Sequence, residues 1–444
     1  MPVKYLTTLF LSGIALTLSA QEVSPSTKRF KEDTIKDDIF RVYYDDSNTL
    51  MSKGRIEAGK RKGPWIFYRT DGSVSSIVQY ENDSINGPTL YYDEEEVKVS
   101  ETMFLKGIKH GYHNEFYDDG SIALSGFFKN GKKDSIWTEY IGYQRKGFEQ
   151  QYSNGQLHGQ SVYYYDQEYS NDRVQAVENY RYGVAYGEWR FYYFNRQLEK
   201  SFTYKNGLLD GAYIEYYRNG RKKVEGQFSV DQREGKWLLF YEEGELESIG
   251  SYFRDQKTGL WKYFSPKGTL RSEGRYKNDL REGQWIYYYE DGTLSAVGSY
   301  RFGEKDGLWG LFYTNDQLQQ EQTWKRGKLM ETSDFYSIKG EALESGTLKN
   351  GTGTYFEYYP EGELYISANL VNGLFHGAYT IYYATGIRQA SGQMKNGLQE
   401  GEWTYWHTNE NPESRGSFTK GEKAGYWSYY TARGRLREKI NHDE

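Results

Sequence analysis

The apolar and polar positions of this chain recur with a period of 24 residues. Gly187, Gly211, Gly235, Gly259, Gly283 and Gly307 stand 24 apart (211 − 187 = 24), and two residues after each comes a large ring: Trp189, Tyr213, Trp237, Trp261, Trp285 and Trp309. Within one copy, Gln284 to Tyr289 reads Gln-Trp-Ile-Tyr-Tyr-Tyr, a short aromatic strand. Glu290-Asp291-Gly292-Thr293 follows, and Asp-Gly between two such runs is a hairpin signal. Leu294 to Phe302 is the return strand, and Gly303-Glu304-Lys305-Asp306 turns into the next copy. One unit is one β-hairpin plus a reverse turn.

Counting outward from an Asp291-Gly292 loop pairs Glu290 with Thr293, Tyr289 with Leu294, Trp285 with Gly298 and Gly283 with Tyr300. The same slots set Trp237 opposite Gly250 and Trp261 opposite Gly274. A ring lying over a cross-strand Gly covers bare backbone, so Gly235, Gly250, Gly259, Gly274, Gly283 and Gly298 read as structural. Strand alternation puts Trp285, Tyr287, Tyr289, Leu294 and Tyr300 on one face and Tyr288 on the other. The Tyr288 slot is aromatic in other copies too, as Phe240, Phe264, Phe312, Tyr358, Tyr382, Trp406 and Tyr430. Rings on both faces imply that the sheet coils on itself or offers one face to a partner.

The repeat sets the organisation of all 444 residues. A degenerate unit spans Ile39 to Lys62, and clear units begin at Gly63, Gly87 and Gly111. Ser135 takes the next start, ahead of Trp137. Gly159 opens a unit stretched to 28 residues (187 − 159 = 28), with a longer loop near 166–173. Residues 331–352 form a worn unit, and clean copies resume at Gly353, Gly377, Gly401 and Gly425. The fold expected over 39–444 is all-β: an elongated, twisted antiparallel β-meander of about 17 tandem hairpin repeats. At about 4.8 Å per strand it would run to roughly 160 Å, as a superhelical ribbon or one folded back on itself.

Composition fits that reading. Tyr (46), Phe (22) and Trp (11) carry much of the apolar surface, and Gly is frequent at 49 against 7 Pro. The net charge of −6 is spread with interspersed signs, without the basic stripe of a nucleic-acid surface. Lys4 followed by apolar Leu6 to Leu18 and then Leu18-Ser19-Ala20 reads as a signal peptide over residues 1–20. Residues 21–38 read as a flexible polar leader. No second apolar stretch is long enough to span a bilayer. The expected location is exported: periplasmic, outer-envelope or extracellular. With no Cys, disulfides play no part.

The pattern Gly-x-Trp-x-x-Tyr-Tyr-x-x-Gly-x-Leu resembles the bacterial variant of the MORN repeat. Gly235-Lys236-Trp237-Leu238-Leu239-Phe240-Tyr241-Glu242-Glu243-Gly244-Glu245-Leu246 carries the likeness, as do the copies at Gly259, Gly283 and Gly401. Lys-Asn-Gly turns recur at Lys205-Asn206-Gly207, Lys349-Asn350-Gly351 and Lys395-Asn396-Gly397. The resemblance covers nearly all of the chain after residue 38. It implies a binding scaffold without catalytic residues. Proteins with this variant are often labelled antitoxins of toxin–antitoxin systems, a role that a signal peptide opposes. The run Trp285 to Tyr289 is also similar to aromatic hairpin repeats that bind choline and glucans.

No constellation for catalysis, cofactor or metal emerges. His110, His158 and His376 occupy one turn slot that other copies fill with Asp210, Glu282, Asp306 or Glu400. His110 and His113 lack a third ligand. Asp93-Glu94-Glu95-Glu96 and Asp45-Asp46 lack the spaced oxygens of a calcium loop. The candidate binding surface is the aromatic ladder: Trp189, Trp237, Trp261, Trp285, Trp309, Trp403 and Trp427, with Phe240, Phe264, Tyr288, Phe312 and Tyr382. Its rings either pack the repeats or stack on a sugar or a partner's apolar groups. The function expected is an exported, non-enzymatic scaffold for an unidentified protein partner at the cell envelope. The alternatives are binding of envelope glycan and an antitoxin role.

Overall fold

The computed structural model describes residues 39–44, 49–142, 144–166 and 173–443. The expected signal peptide and leader, Asp45-Asp46 and most of the 166–173 loop lie outside the described residues. Two compact units divide the chain, one through Gln156 and one from Leu157. In the first, strands follow one another antiparallel from Ile39–Tyr43 to Arg145–Ser153. In the second, the same meander runs to Lys328–Thr332. A two-stranded ladder of Phe335–Tyr336 with Ala342–Leu343 follows, then eight strands from Gly353–Tyr358 to Leu436–Asn441. Every regular element among the described residues is a strand.

The hairpin Leu280–Tyr288 with Leu294–Arg301 shows how one unit is built. Trp285 pairs with Gly298 and Gly283 with Tyr300, as the count predicts. The tip differs. Gly292 donates its amide to Tyr289 O at 3.1 Å and Tyr289 donates to Thr293 O at 2.9 Å. Gly292 has φ +89°. This is a type I turn closed by a left-handed Gly, one residue longer than the expected two-residue turn. A bulge at Ser295 restores the register, so Tyr288, not Tyr289, pairs with Leu294. Leu294 therefore shares the face of Tyr288, which corrects its assignment to the Trp285 face. Asp291 accepts from the amide and hydroxyl of Thr293, at 2.9 and 2.6 Å, and stiffens the turn.

Between hairpins the chain uses the other turn type. Asn278 and Asp279 have φ +52° and +65°, the signature of type I′. The turns stack. Asp279 donates to Lys257 O at 3.1 Å, Gly303 to Arg281 O at 3.0 Å and Gly327 to Lys305 O at 2.9 Å. One edge of the second unit thus carries type I′ turns bonded repeat to repeat, and the other carries the type I turns.

The repeated Gly has its own cause. Gly274 pairs with Trp285 but Arg275 pairs with Glu282, so Gly283 and Gln284 have no partner on the preceding strand. Gly283 sits in this bulge at φ +69°, a conformation that a Cβ disfavours.

Candidate binding surfaces

Trp285 is paired with Gly on both sides, but its ring leans one way. A Cβ on Gly274 would lie 2.2 Å from Trp285 Cδ2, whereas the ring over Gly298 is that of Trp309. The indole Nε1 donates to Arg275 O at 3.1 Å. Every Trp of the ladder except Trp189, whose preceding strand Val174–Arg181 holds no Gly, therefore covers the Gly of the preceding hairpin and not of its own return strand, which corrects the expected partner. The contact that looked internal to a repeat is the seam between repeats. Trp261 lies likewise over Gly250 and Trp403 over Gly392.

Where the Trp is replaced, its partner grows. Thr102 faces His113, Phe202 faces Tyr213 and Ala368 faces Tyr379 in the same inter-repeat pairing. A side chain smaller than Trp leaves room that the opposite residue fills, as close packing requires. His113 is held there by Thr102 Oγ1 at 2.7 Å and Glu115 at 3.2 Å.

The candidate rings separate into two groups. Trp237, Trp261, Trp285, Trp309, Trp403 and Trp427 are buried, Trp285 fully so, and Trp189 is half-buried. From Trp189 to Trp309 they form one column through Phe202, Tyr213 and Tyr252. Tyr276 meets Trp285 edge-on, 5.2 Å away at 90°. Rings packed in this way, all but Trp237 with Nε1 donating to backbone, present no surface for a ligand. Phe240, Phe264, Tyr288, Phe312 and Tyr382 are half-buried instead. Tyr288 shares its face with Ile286 and reaches Glu273 at 3.3 Å.

A second tie between repeats lies in the residue after that slot. Tyr241 OH donates to Phe264 O at 2.9 Å, Tyr289 OH to Phe312 O at 2.8 Å and Tyr359 OH to Tyr382 O at 2.9 Å. Trp reaches backward and Tyr reaches forward, so each hairpin is fixed to both neighbours. The signal was the second ring of the recurring aromatic doublet.

Cations cap the ring face. Lys257 Nζ lies 4.3 Å from the Trp261 ring, Arg281 4.8 Å from Trp285 and Lys305 4.4 Å from Trp309. Burial pushes the Lys305 amine down and the Tyr263 and Tyr287 phenols up. The phenols thus remain protonated donors at neutral pH.

The type I′ edge of the second unit carries large apolar side chains that point outward. Tyr182, Val230 and Phe302 occupy left-handed turn positions at φ +50°, +51° and +52°, where Asn206 and Asn278 stand in other copies. Phe302 is 74% exposed, and Leu208, Phe253 and Leu280 beside these turns are exposed as well. The type I turns at 193–197, 217–221, 241–245, 265–269, 289–293 and 313–317 hold no exposed large apolar residue. Elsewhere, a wide-open hollow of about 360 Å³ is bordered by His158, Asn179, Tyr180, Arg181 and Tyr186. Among the described residues no group of three or more His, Asp or Glu could hold a metal, and no helix is long and apolar enough to cross a membrane.

The family model of the MORN repeat variant matches residues 233–253, 257–278 and 281–301, three consecutive hairpin units. These segments are MORN-variant repeats. The MORN-variant register seen in them, Trp over the preceding Gly, recurs at Trp65, Trp137, Trp403 and Trp427. No curated protein matches the chain. Among solved structures, the chain is similar to the TcdB2-TccC3-Cdc42 complex at 10% identity, over 91% of this chain and 30% of that chain, with a TM-score of 0.13. TcdB2-TccC3 matches at 10% identity, over 90% and 29%, with a TM-score of 0.12. The Photorhabdus luminescens Tc holotoxin pore matches at 11%, over 90% and 28%, also with 0.12. The chain spans less than a third of each, and superpositions this poor carry no structural or functional argument.

Proposed function

We propose that this MORN-variant repeat protein is an exported, non-enzymatic scaffold that binds a protein partner at the cell envelope. The observation that carries the reading is the type I′ edge of the second unit. A bulky residue at positive φ costs about 1–2 kcal/mol relative to the right-handed region, and Asn or Gly would relieve it. Tyr182, Val230 and Phe302 accept this strain and also expose apolar surface to water. Arg254 and Arg326 take the same φ in this slot with an exposed charge, so it is the exposed apolar side chain at such a turn that points to a contact surface. The turns lie one per repeat, two strands or about 9.6 Å apart; Tyr182, Val230 and Phe302 stand two and three repeats apart, and Leu208, Phe253 and Leu280 supply the exposed apolar group beside the turns between them. Export rests on the apolar segment Leu6 to Leu18 and the small-residue site at Leu18-Ser19-Ala20.

The test is capture from the envelope fraction with wild-type protein and a Val230→Asn/Phe302→Asn variant. Asn suits the left-handed turn, so the variant keeps its fold while losing the apolar anchors. Specific recovery of one envelope protein by the wild type, much reduced with the variant, is the expected result. Equal recovery by both would remove this edge from the account, and recovery of nothing above background would remove the protein partner.

A further inference from the structure

The ring face between Arg233 and Trp324 is cationic and free of carboxylates at its strand positions. Strand residues sharing the face in the four hairpins that begin at Gly235, Gly259, Gly283 and Gly307 include no Asp or Glu; carboxylates stand only at its turns, where Glu245 lies across from Tyr241 and Asp279 accepts from the Lys257 amide at 2.7 Å. Each repeat sets one cation two residues before the repeat Gly: Arg233, Lys257, Arg281 and Lys305. Arg233 is paired with the turn residue Asp255 at 2.9 Å. Lys257, Arg281 and Lys305 make no ion pair among the described residues.

Two of these cations head matching clusters of phenols. Lys257 Nζ donates to Tyr263 OH at 2.9 Å, and Tyr263 OH donates to Tyr276 OH at 3.2 Å. Arg281 donates to Tyr287 OH at 3.2 Å and to Tyr300 OH at 3.0 Å, and the two phenols lie 3.0 Å apart. All six side chains are half-buried and in part open to water. The rings beneath hold the charged groups in place before any ligand arrives. The clusters repeat every two strands, a step of about 9.6 Å, close to the length of an extended disaccharide.

We propose that this face binds an extended anionic polysaccharide carrying one carboxylate per disaccharide. Each carboxylate would meet one cation, and the sugar hydroxyls would exchange hydrogen bonds with the adjacent phenol pair. The absence of acids from the strand positions lowers the repulsion such a chain would meet there, and the carboxylates are confined to the turns. A polysaccharide has this charge period by construction, while an acidic peptide would need it written into its sequence. The cations stand next to the type I′ turns, Arg281 O accepting from Gly303 at 3.0 Å, but the proposed surface is the sheet face rather than the turn edge and does not depend on a protein partner.

Titration calorimetry at low salt with the full chain tests the proposal. The probes are a hyaluronan dodecasaccharide, the same saccharide with its carboxyls methyl-esterified, and polyglutamate of equal charge. The expected result is binding of the dodecasaccharide that weakens with added salt, little or none of the ester, and weaker binding of polyglutamate. Lys257→Gln/Arg281→Gln should lower affinity about tenfold with an unchanged near-ultraviolet dichroism of the Trp column. Lys262→Gln/Arg275→Gln, on the other face, should leave affinity unchanged. No binding of the dodecasaccharide, equal binding of the ester or of polyglutamate, or equal loss in the two variants would overturn it.

Discussion

Gly274→Ala tests the seam between repeats with a single methyl group. The added Cβ would stand 2.2 Å from Trp285 Cδ2 and 2.3 Å from Cε2. Carbon atoms rest about 3.5 Å or more apart, so the indole must recede by roughly 1.3 Å. It has little room, because it is fully buried with the Tyr276 ring set edge-on against it, 5.2 Å between ring centres. Overpacking of this kind costs about 1–3 kcal/mol. Displacing Nε1 from Arg275 O, now at 3.1 Å, adds about 1 kcal/mol, for a total of about 2–4 kcal/mol. The chain itself supplies a compensating partner, since Ala368 already faces Tyr379 in the same slot. Trp285→Tyr should therefore absorb the new methyl, and the double variant should be more stable than the sum of the singles by about 2 kcal/mol. Hydrogen exchange of Leu270–Lys277 and Leu280–Tyr288 reads the local opening energy. Additivity within about 0.5 kcal/mol, or a neutral Gly274→Ala, would refute the packing argument.

Trp285→Ala should cost about 3–5 kcal/mol, with exchange protection lost in the flanking hairpins and retained in the strands from Arg388 to Tyr430; loss of all protection in one step would contradict nearest-neighbour coupling. Tyr289→Phe removes the hydroxyl bonded to Phe312 O and should cost about 1 kcal/mol, read as faster exchange between the two hairpins. Phe302→Asn should raise the stability of its turn by about 1 kcal/mol, seen as slower exchange of Gly303; destabilisation would mean that the ring packs in the free protein. Burial raises the Glu357 carboxyl above its ordinary value. A raised folded value means that the contribution is full at acid pH and falls as pH rises from the ordinary carboxylate range through the raised value. Glu357→Gln should flatten that fall in a denaturation series, and an unchanged slope would count against it.

Much of the fold was legible because the period was so regular. Trp285 opposite Gly298 and the ring face came from counting, although the count placed the turn wrongly. The longer tip turn and the Ser295 bulge shift the register by one residue each in opposite senses, so the interior pairs survived while Leu294 changed face. The direction of the Trp ring was not legible. It depends on the two-residue bulge at Gly283, which brings Gly274 beside Trp285 and is set by a positive φ that spacing alone does not reveal. The candidate site was legible in composition and not in exposure. Rings that looked available, such as Trp261 and Trp427, are consumed by packing. The outward-facing groups, Phe302, Val230, Lys257 and Arg281, looked like ordinary turn and strand residues until the turns and the ring face were assembled.

The most direct test of the scaffold reading is photo-cross-linking in intact cells with the probe amino acid at position 302 or at position 291. The two positions sit on opposite edges of the same repeat ribbon, one on a strained apolar turn and the other on a polar one. The account predicts a specific adduct with an envelope protein from position 302 and none from position 291. Adducts from both positions alike, adducts only from 291, or adducts with cytoplasmic proteins alone would contradict it.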